Sequence, residues 1–521
     1  MKKDFNNNGP LVSVLIPTFN RPRYFCQALR SVLNQSYARL QVIVVNDGGT
    51  DVSDTVKSFY DPRVIYINRK ENRGKAFSLN EALEKSEGKY IAYLDDDDIF
   101  YPNHVEILVD NLENRTDCKV AYSDLYKAFC KVSQDGSRQV LSKVVEVSRD
   151  FDRFFMLLFN HVLHVSMMHR RDLLEKTGLY NEQLDVLIDW DMTRRLAFFT
   201  DFHHVYEITG QYYHPMGDCD RISVRQRKDK QNYLKNVLAI RTTRPAKPWP
   251  KINDLSIILV IDNIDRQMGK TAGSIWRHTF YPYKFHLPLP QTDMTRLNTD
   301  MPNLVLVPVN PLSSQTERID AAIEQCEGAY IAIVPAGFPI NDMWIEKSLY
   351  PLINSEDDKQ GYLLEDSTEK LWAVVLRKED LFSARRNYPE MSLPDSLSAS
   401  GIVLKKPGPQ ELPFQFDNML QQAFSAQNNG DWLQAAEIYE YAAENYSNEL
   451  WMKSLASNAL FNAGKISSAA ALCSQVNRKR PTVGTLLLEA KARCREKEYS
   501  AAIELLTIAQ KTIEEREYLW K

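Results

Sequence analysis

Four apolar runs alternating with helix-periodic segments restrict the first hundred residues to an α/β arrangement. "LVSVLIPTFN" (11–20) reads as a buried strand ended by proline, and "YFCQALRSVLNQ" (24–35) carries apolar residues at helical spacing. "LQVIVVNDGG" (40–49) is a second apolar strand, closed by Asn46, Asp47 and two glycines. The rhythm repeats as a strand at 63–67, a glycine-bearing turn at 72–75, a helix to about 86 and a strand at 89–94. This β-α-β order implies a parallel sheet that binds ligands at the carboxyl ends of its strands.

At the end of the fourth strand stands "YIAYLDDDDIFYPNHVE" (90–106), with four consecutive aspartates. Adjacent carboxylates repel one another, so the run calls for a cation. An EF-hand is excluded, because residues 95–106 lack the central glycine of that loop. Magnesium or manganese fits better, being held by one or two carboxylates together with substrate phosphates. In an extended chain Asp95 and Asp97 face one side and Asp96 and Asp98 the other. One pair then meets the ligand, while the other turns to solvent or caps the helix after Pro102.

At 521 residues the chain is too long for one core, and about 150 residues per domain suggests roughly three. A hydrophobic share of 44%, a charged share of 25% and a net charge of -4 show no electrostatic bias towards nucleic acid. Apolar runs such as Ile257 to Ile261, with Leu255 just before it, are far short of the ~20 residues of a membrane span. "MKKDFNNNGP" lacks the apolar core of a signal peptide, so a cytoplasmic protein is expected, with any membrane association peripheral at the inner face. Seven cysteines, odd in number, widely spaced and without a CxxC, indicate reduced thiols rather than disulfides or zinc.

Residues 10 to about 215 resemble the catalytic domain of family two glycosyltransferases. The resemblance is carried by "VSVLIPTFNRPRYFCQALRSVLNQSY", "VIVVNDGGTD", "ENRGKAFSLNEAL", "GKYIAYLDDDDIFYPNHVE" and "TGLYNEQLDVLIDWDMTRRLA", in that order and spacing. It implies the GT-A fold, an α/β sandwich that uses a nucleotide-sugar donor and a divalent cation, Mn2+ or Mg2+. By this resemblance Asp47 corresponds to the uracil-contacting aspartate, and Pro17, Thr18 and Asn20 line the first nucleotide loop. Asp96 and Asp97 match the family's short acidic motif, one approaching the ribose and the other, Asp97, binding the metal; Asp95 joins them on a D-x-D register. Arg73 and Lys75 are cations in the 72–75 turn, where they would meet the diphosphate.

In "LIDWDMTRRLAFF" (187–199) Asp189 aligns with the family's aspartate that deprotonates the acceptor hydroxyl, and Asp191, placed with the substrate contacts, opens the helix behind it. Helix capping is the alternative role for both. Ile188 stands where the family usually has an acid; an apolar neighbour would desolvate Asp189 and raise its pKa, which suits a base. His214, in "GQYYHPMGD", falls where many members place a histidine or arginine near the diphosphate and metal.

Residues 251 to about 405 align with the first domain. "LSIILV" (255–260) matches "VSVLIP" (12–17), and "AAIEQCEGAYIAIV" (321–334) matches "EALEKSEGKYIAYL" (81–94) with seven identities in fourteen positions. Where the first copy has Asp95, Asp96 and Asp97 the second has Pro335, Ala336 and Gly337, so a degenerate, catalytically silent GT-A-like domain is expected. From about 412 the chain is alanine-rich and helical. Trp432, Ile466 and Tyr499, spaced 34 and 33 apart and each followed three residues on by alanine, resemble tetratricopeptide repeats; a plain helical bundle is the alternative. Proline-rich "RPAKPWPK" (244–251) and "KKPGPQELP" (405–413) read as linkers, giving domains at 1–245, 251–405 and 412–521.

These readings converge on a metal-dependent inverting glycosyltransferase of hexosyl or N-acetylhexosaminyl type. It would move a sugar from a nucleotide-sugar, UDP-sugar favoured, to a glycan or protein acceptor in surface polysaccharide or glycoprotein synthesis. The alternative from another class is an inactive glycan-binding or scaffold protein on the same fold; nucleotidyl transfer is the enzymatic alternative. A protein partner on the C-terminal helices and a homo-oligomer complete the expected partners, and nucleic acid is not among them.

Overall fold

The computed structural model describes residues 9–216, 229–297, 303–341, 343–355, 359–366, 371–407, 415–445 and 449–514. The chain forms two compact units, Met1–Asn236 with Phe414–Lys521, and Val237–Pro413.

The first unit opens with β1 (Val12–Thr18), α1 (Pro22–Leu33), β2 (Leu40–Asn46), α2 (Ser53–Ser58), β3 (Val64–Asn68), α3 (Lys75–Lys85) and β4 (Tyr90–Tyr93). β1 lies between β2 and β4 and is parallel to both, Val12 standing opposite Leu40 and Tyr90. Every residue of β2 and β4 is buried, because helices cover both faces of a parallel sheet. Then come β5 (Ile99–Phe100), α4 (His104–Asn114) and a hairpin of β6 (Cys118–Val132) with β7 (Arg138–Val145). The elements α5 (Arg153–Leu158), β8 (Met167–Arg170), α6 (Leu174–Thr177), α7 (Ile188–Leu196) and β9 (Asp201–Pro215) follow. The sheet order is β3-β2-β1-β4-β8-β6-β9-β5, with β7 paired to β6. This is the mixed α/β sheet expected of a GT-A domain.

Helix α8 (Lys230–Thr242) contains the division between the units. The second unit continues with β10 (Leu255–Val260), α9 (Arg266–His278), β11 (Tyr283–Pro290), α10 (Gln291–Met294), β12 (Leu304–Val309), α11 (Gln315–Gln325) and β13 (Tyr330–Pro335). It ends with α12 (Glu346–Asn354), β14 (Gln360–Glu365), β15 (Trp372–Arg377), α13 (Lys378–Asn387), α14 (Leu393–Ala399) and β16 (Val403–Lys405). Its sheet order, β12-β11-β10-β13-β15-β14-β16, matches the first seven strands of the other sheet position by position. Register is kept too: Tyr90 opposes Val12 and Arg170, and Tyr330 opposes Leu255 and Arg377. Stretch 244–251 is not a free linker. Pro245 is buried, Trp249 donates to its carbonyl at 3.0 Å, and Lys247 pairs with Asp254 at 2.7 Å within the second unit. Most of 405–413 lies outside the described residues.

The C-terminal part is three helix pairs: α15 (Gln415–Asn428) with α16 (Trp432–Asn445), α17 (Glu449–Asn462) with α18 (Ile466–Lys479), and α19 (Val483–Arg495) with α20 (Tyr499–Thr512). Trp432, Ile466 and Tyr499 each open the second helix of a pair, and Ala435, Ala469 and Ala502 are buried where neighbouring helices cross. These helices are not a free-standing domain but close on the β6–β7 hairpin. Trp451 Nε1 donates to the Val145 carbonyl at 2.9 Å, Lys491 Nζ to that of Leu141 at 2.6 Å, and Gly484 N–H to the Tyr126 hydroxyl at 3.2 Å. Tyr101, Tyr126 and Val483 form a buried cluster there, flanked by Val145, Ile208 and Leu487. Among the described residues six cysteines are free thiols and no helix is long and apolar enough to cross a membrane.

β1 meets the loop before β4 at very short range. Gly88 N–H donates to Ser13 Oγ at 2.9 Å, and a Cβ on Gly88 would lie 2.5 Å from Ser13 N. Gly88→Val therefore forces β1 and β4 apart, at a cost of about 1–3 kcal/mol for overpacking. A lowered first thermal transition in full-length protein is the expected outcome, read by calorimetry.

Candidate active site

β4 ends at Tyr93, and residues 95–98 form a turn in which Asp98 N–H donates to the Asp95 carbonyl at 3.1 Å. The alternation expected of an extended chain is thereby corrected, since a period of two holds only along a strand. Asp95, Asp97 and Asp98 bring one carboxylate oxygen each within 4.8 Å of one another. Asp96 instead turns back to the loop after β1, accepting from Thr18 Oγ1 at 2.8 Å and from Phe19 N–H at 3.3 Å. Arg21 bridges Asp96 at 3.3 Å and Asp97 at 2.7 Å. Burial, then Asp97, pushes the Asp96 carboxyl up to about 6 against the opposing pull of Arg21 and Thr18. Three convergent carboxylate oxygens are a hard donor set, which suits Mg2+ or Mn2+. Asp98 belongs to that set alongside the expected Asp95 and Asp97.

Lys75, the first residue of α3, lies 2.5 Å from Asp95. A cation is unfavourable at the positive end of a helix, and here the neighbouring carboxylates offset that cost. Burial alone would lower the Lys75 pKa, but Asp95, then Asp189 and Asp97, raise it above the ordinary value. Asp189 sits in the first turn of α7, launched from Leu187 in the left-handed region at φ 62, a strained conformation of the kind that gathers at functional sites. Burial raises the Asp189 pKa, and Lys75 partly counters it. Asn160 Nδ2 donates to Asp189 Oδ2 at 3.2 Å, and Asn160 Oδ1 takes the Thr193 hydroxyl at 3.3 Å. Beneath Asp95, the His164 ring stacks on Tyr93 at 4.1 Å and pairs with the Tyr180 hydroxyl at 2.7 Å. Burial, then Lys75, pushes His164 down to about 3, so the ring is neutral.

The remaining expected residues take varied positions. Asp47 is buried and accepts from Arg73 N–H at 2.9 Å, Gly74 N–H at 2.8 Å and Arg69 at 2.8 Å, so it shapes the 72–75 turn. Asn20 Oδ1 takes the Thr50 N–H at 2.9 Å, tying the first loop to the second. Pro17 stands in β1 opposite Val45. The Arg73 guanidinium is exposed and lies over the Phe77 ring at 3.3 Å. Asp191, expected on the substrate side, is corrected to an interior role: it is 1% exposed and paired with Arg195 at 2.6 Å, one helical turn on. His214 meets the Phe129 ring edge-on at 5.2 Å, while its neighbour Tyr213 donates its N–H to Asp98 at 3.1 Å. Arg21 and Asn160 escaped the sequence reading, which placed Asp98 on the face opposite Asp95 and Asp97; of the two, only Arg21 had a local signal, in the run of cations around Pro22 that opens α1.

Residues 13–176 match the family model described as glycosyl transferase family 2. The N-terminal part of this chain is a glycosyl transferase family 2 domain. The uncharacterized glycosyltransferase RP339 of Rickettsia prowazekii (strain Madrid E) is 32% identical over 197 residues, 36% of this chain and 58% of that protein. The putative colanic acid biosynthesis glycosyl transferase WcaA of Escherichia coli (strain K12) is 35% identical over 105 residues, 20% of this chain and 38% of that protein. The matched segment thus spans little more than half of the first of these relatives. Among solved structures, Staphylococcus aureus TarS 1–349 aligns at 16% identity over 44% of this chain and 64% of that one, with a TM-score of 0.33. The match to that family ends before Asp189, which lies in the electrostatic field of Lys75 and of Asp95 in the acidic turn.

Arg21→Gln would leave Asp96 and Asp97 without their shared cation. A carboxyl held above its ordinary pKa gives stability that is present below the unfolded value and is lost as pH rises through the folded value. The variant should therefore melt below the parent at about pH 7.5, with the gap narrowing at about pH 5 as Asp96 takes a proton. Thermal scans of metal-free protein at the two pH values check this.

Proposed function

We propose that the chain is an inverting glycosyltransferase that takes a sugar from a nucleotide-diphosphate donor, with Asp189 as the base. The observation that carries this reading is Lys75, which pairs with Asp95 of the acidic turn at 2.5 Å and lies in the electrostatic field of Asp189 of α7. One cation thus lies between the acidic turn and the base and acts on both. A divalent ion on Asp95, Asp97 and Asp98 would supply Lewis-acid neutralisation of the departing diphosphate. Thr18, Phe19 and Arg21 fix Asp96 beside that turn on the nucleotide side. Asn160 orients Asp189, which accepts the acceptor's hydroxyl proton as that oxygen bonds to the anomeric carbon. The bond to the nucleotide diphosphate breaks on the opposite face, through an oxocarbenium-like transition state, and the configuration inverts.

A UDP-sugar of hexosyl or N-acetylhexosaminyl type is the proposed donor, on the family's role for Asp47. A glycan acceptor in surface polysaccharide synthesis is favoured over a protein by the similarity to WcaA, a putative colanic acid biosynthesis enzyme. The inactive-scaffold alternative is disfavoured by the intact acidic turn and by the presence of Asp189 within its electrostatic field. Full-length protein with Mn2+ and a panel of nucleotide-sugars tests the reading, and chelation should abolish turnover. Asp189→Asn should bind donor as the parent does yet lose transfer by roughly 10²-fold or more. In the parent, the acidic limb of the kcat/KM profile should lie above the ordinary aspartate value of about 3.9, because burial raises Asp189. Equal transfer by the parent and Asp189→Asn would rule this base out.

A further inference from the structure

The β6–β7 hairpin links the acidic turn to the C-terminal helices. At one end of β7, Arg138 donates to the Asp97 carbonyl at 2.6 Å and to Gln27 Oε1 at 3.1 Å. Its guanidinium is sandwiched between Tyr213 at 3.6 Å and Tyr24 at 4.0 Å. The hairpin turn rests on α1, where the Tyr24 hydroxyl donates to the Gly136 carbonyl at 3.0 Å and Arg23 pairs with Asp135. The other end of β7, from Leu141 to Val145, is where α17 and α19 attach. Eight strand residues span roughly 23 Å, so one rigid strand joins the two places. Contact with the helices is close: a Cβ on Gly484 would lie 2.6 Å from the Lys143 carbonyl oxygen. A second route runs from Lys143 Nζ to the Tyr101 hydroxyl at 3.2 Å, and Tyr101 lies three residues beyond Asp98.

We propose that Arg138 is a positioning residue for the acidic turn, and that the C-terminal helices hold it there through β7. This rests on the donor-site reading above. Arg138 acts through Asp97: it fixes the main chain of that residue and so the direction of its carboxylate. A planar guanidinium suits this place because it stacks on two rings while donating in its own plane. The tail is then a working part of the transfer site rather than a separate recruitment module.

The test uses full-length protein and Mn2+ alone as the probe. Calorimetric titration of Arg138→Ala should show Mn2+ binding weakened on the order of tenfold, the scale for losing an outer partner of a metal ligand. Its melting temperature should stay near the parent's, and millimolar guanidinium should restore part of the affinity. Arg138→Lys, which keeps the charge without the planar fork, should not regain it. In tail variants, Gly484→Val wedges α19 away from β7, and the milder Trp451→Phe removes only the donor to the Val145 carbonyl. Both should raise hydrogen exchange at 138–145 and, through Arg138, at 94–101. Unchanged Mn2+ affinity in Arg138→Ala overturns the proposal, as does exchange that rises at 138–145 but not at 94–101 in both tail variants. A parent chain that takes up no Mn2+ would count against the donor-site reading, while the exchange comparison would still decide the role of the tail.

Discussion

Mutual repulsion among Asp95, Asp96, Asp97 and Asp98 is the constraint around which the first unit is arranged. The four carboxylates meet donors from three parts of the chain: Lys75 from α3, Thr18 and Arg21 from the loop after β1, and the Tyr213 amide from β9. None of these donors is local in sequence. The turn therefore takes shape only once β1 and β4 are paired and β9 has come round beside β6. That dependence runs in both directions. A misplaced turn would leave Lys75 and Arg21 partly buried beside no counter-charge, which is costly in a low-dielectric setting.

The second unit shows what happens to the same sheet when that constraint is lifted. Pro335, Ala336 and Gly337 replace the aspartates, and the strand end closes on its neighbouring helix. Gly337 N–H donates to Thr271 Oγ1 at 2.8 Å, and Gln267 occupies the space a Cβ on Gly337 would need. The crevice that holds the acidic turn in one unit is packed in the other. Buried polar groups diverge as well. α4 opens with His104, neutral and bonded to Thr209, whereas α12 opens with Glu346, which burial pushes up to about 7 while it accepts from the Phe280 amide. Strand order and register are the same in the two units, while the donors and acceptors at the strand ends differ.

This contrast also explains what could be read from the chain in advance. Apolar runs such as 11–17 and 40–46 have to be buried wherever the sheet forms, so the succession of strands and helices in the first ninety residues was legible, and the seven identities between 81–94 and 321–334 carried it to the second unit. The acidic run was legible as a ligand site because four like charges have no packing role. Its geometry was not, since the turn depends on tertiary donors; Asp98 therefore joined Asp95 and Asp97, and Asp96 went elsewhere. Asp191 misled for a related reason: its spacing from Arg195 can be read in the chain, but only the fold shows that both are enclosed. Arg138 carries no motif at all. Its partners, Asp97, Tyr24 and Tyr213, are 41 or more residues away in the chain.

The C-terminal helices carry the same reasoning to the whole first unit. A stack of helix pairs buries its interior against its own neighbours and leaves exposed faces free for other uses. Here one such face, on the first helices of the second and third pairs, is already taken by β7: Trp451 and Lys491 cap main-chain carbonyls of that edge strand, and Tyr126 lies under Gly484. An edge strand with open carbonyls is a liability unless it is covered, and these helices cover it. The helices and the strand thus meet each other's needs within one chain. A further partner would have to use a different surface, of which α20 offers one in the exposed side chains of Tyr499, Ile503 and Leu506. What fixes the arrangement is therefore not the repeat itself but the hairpin, which has one end on the helices and the other on the carbonyl of Asp97.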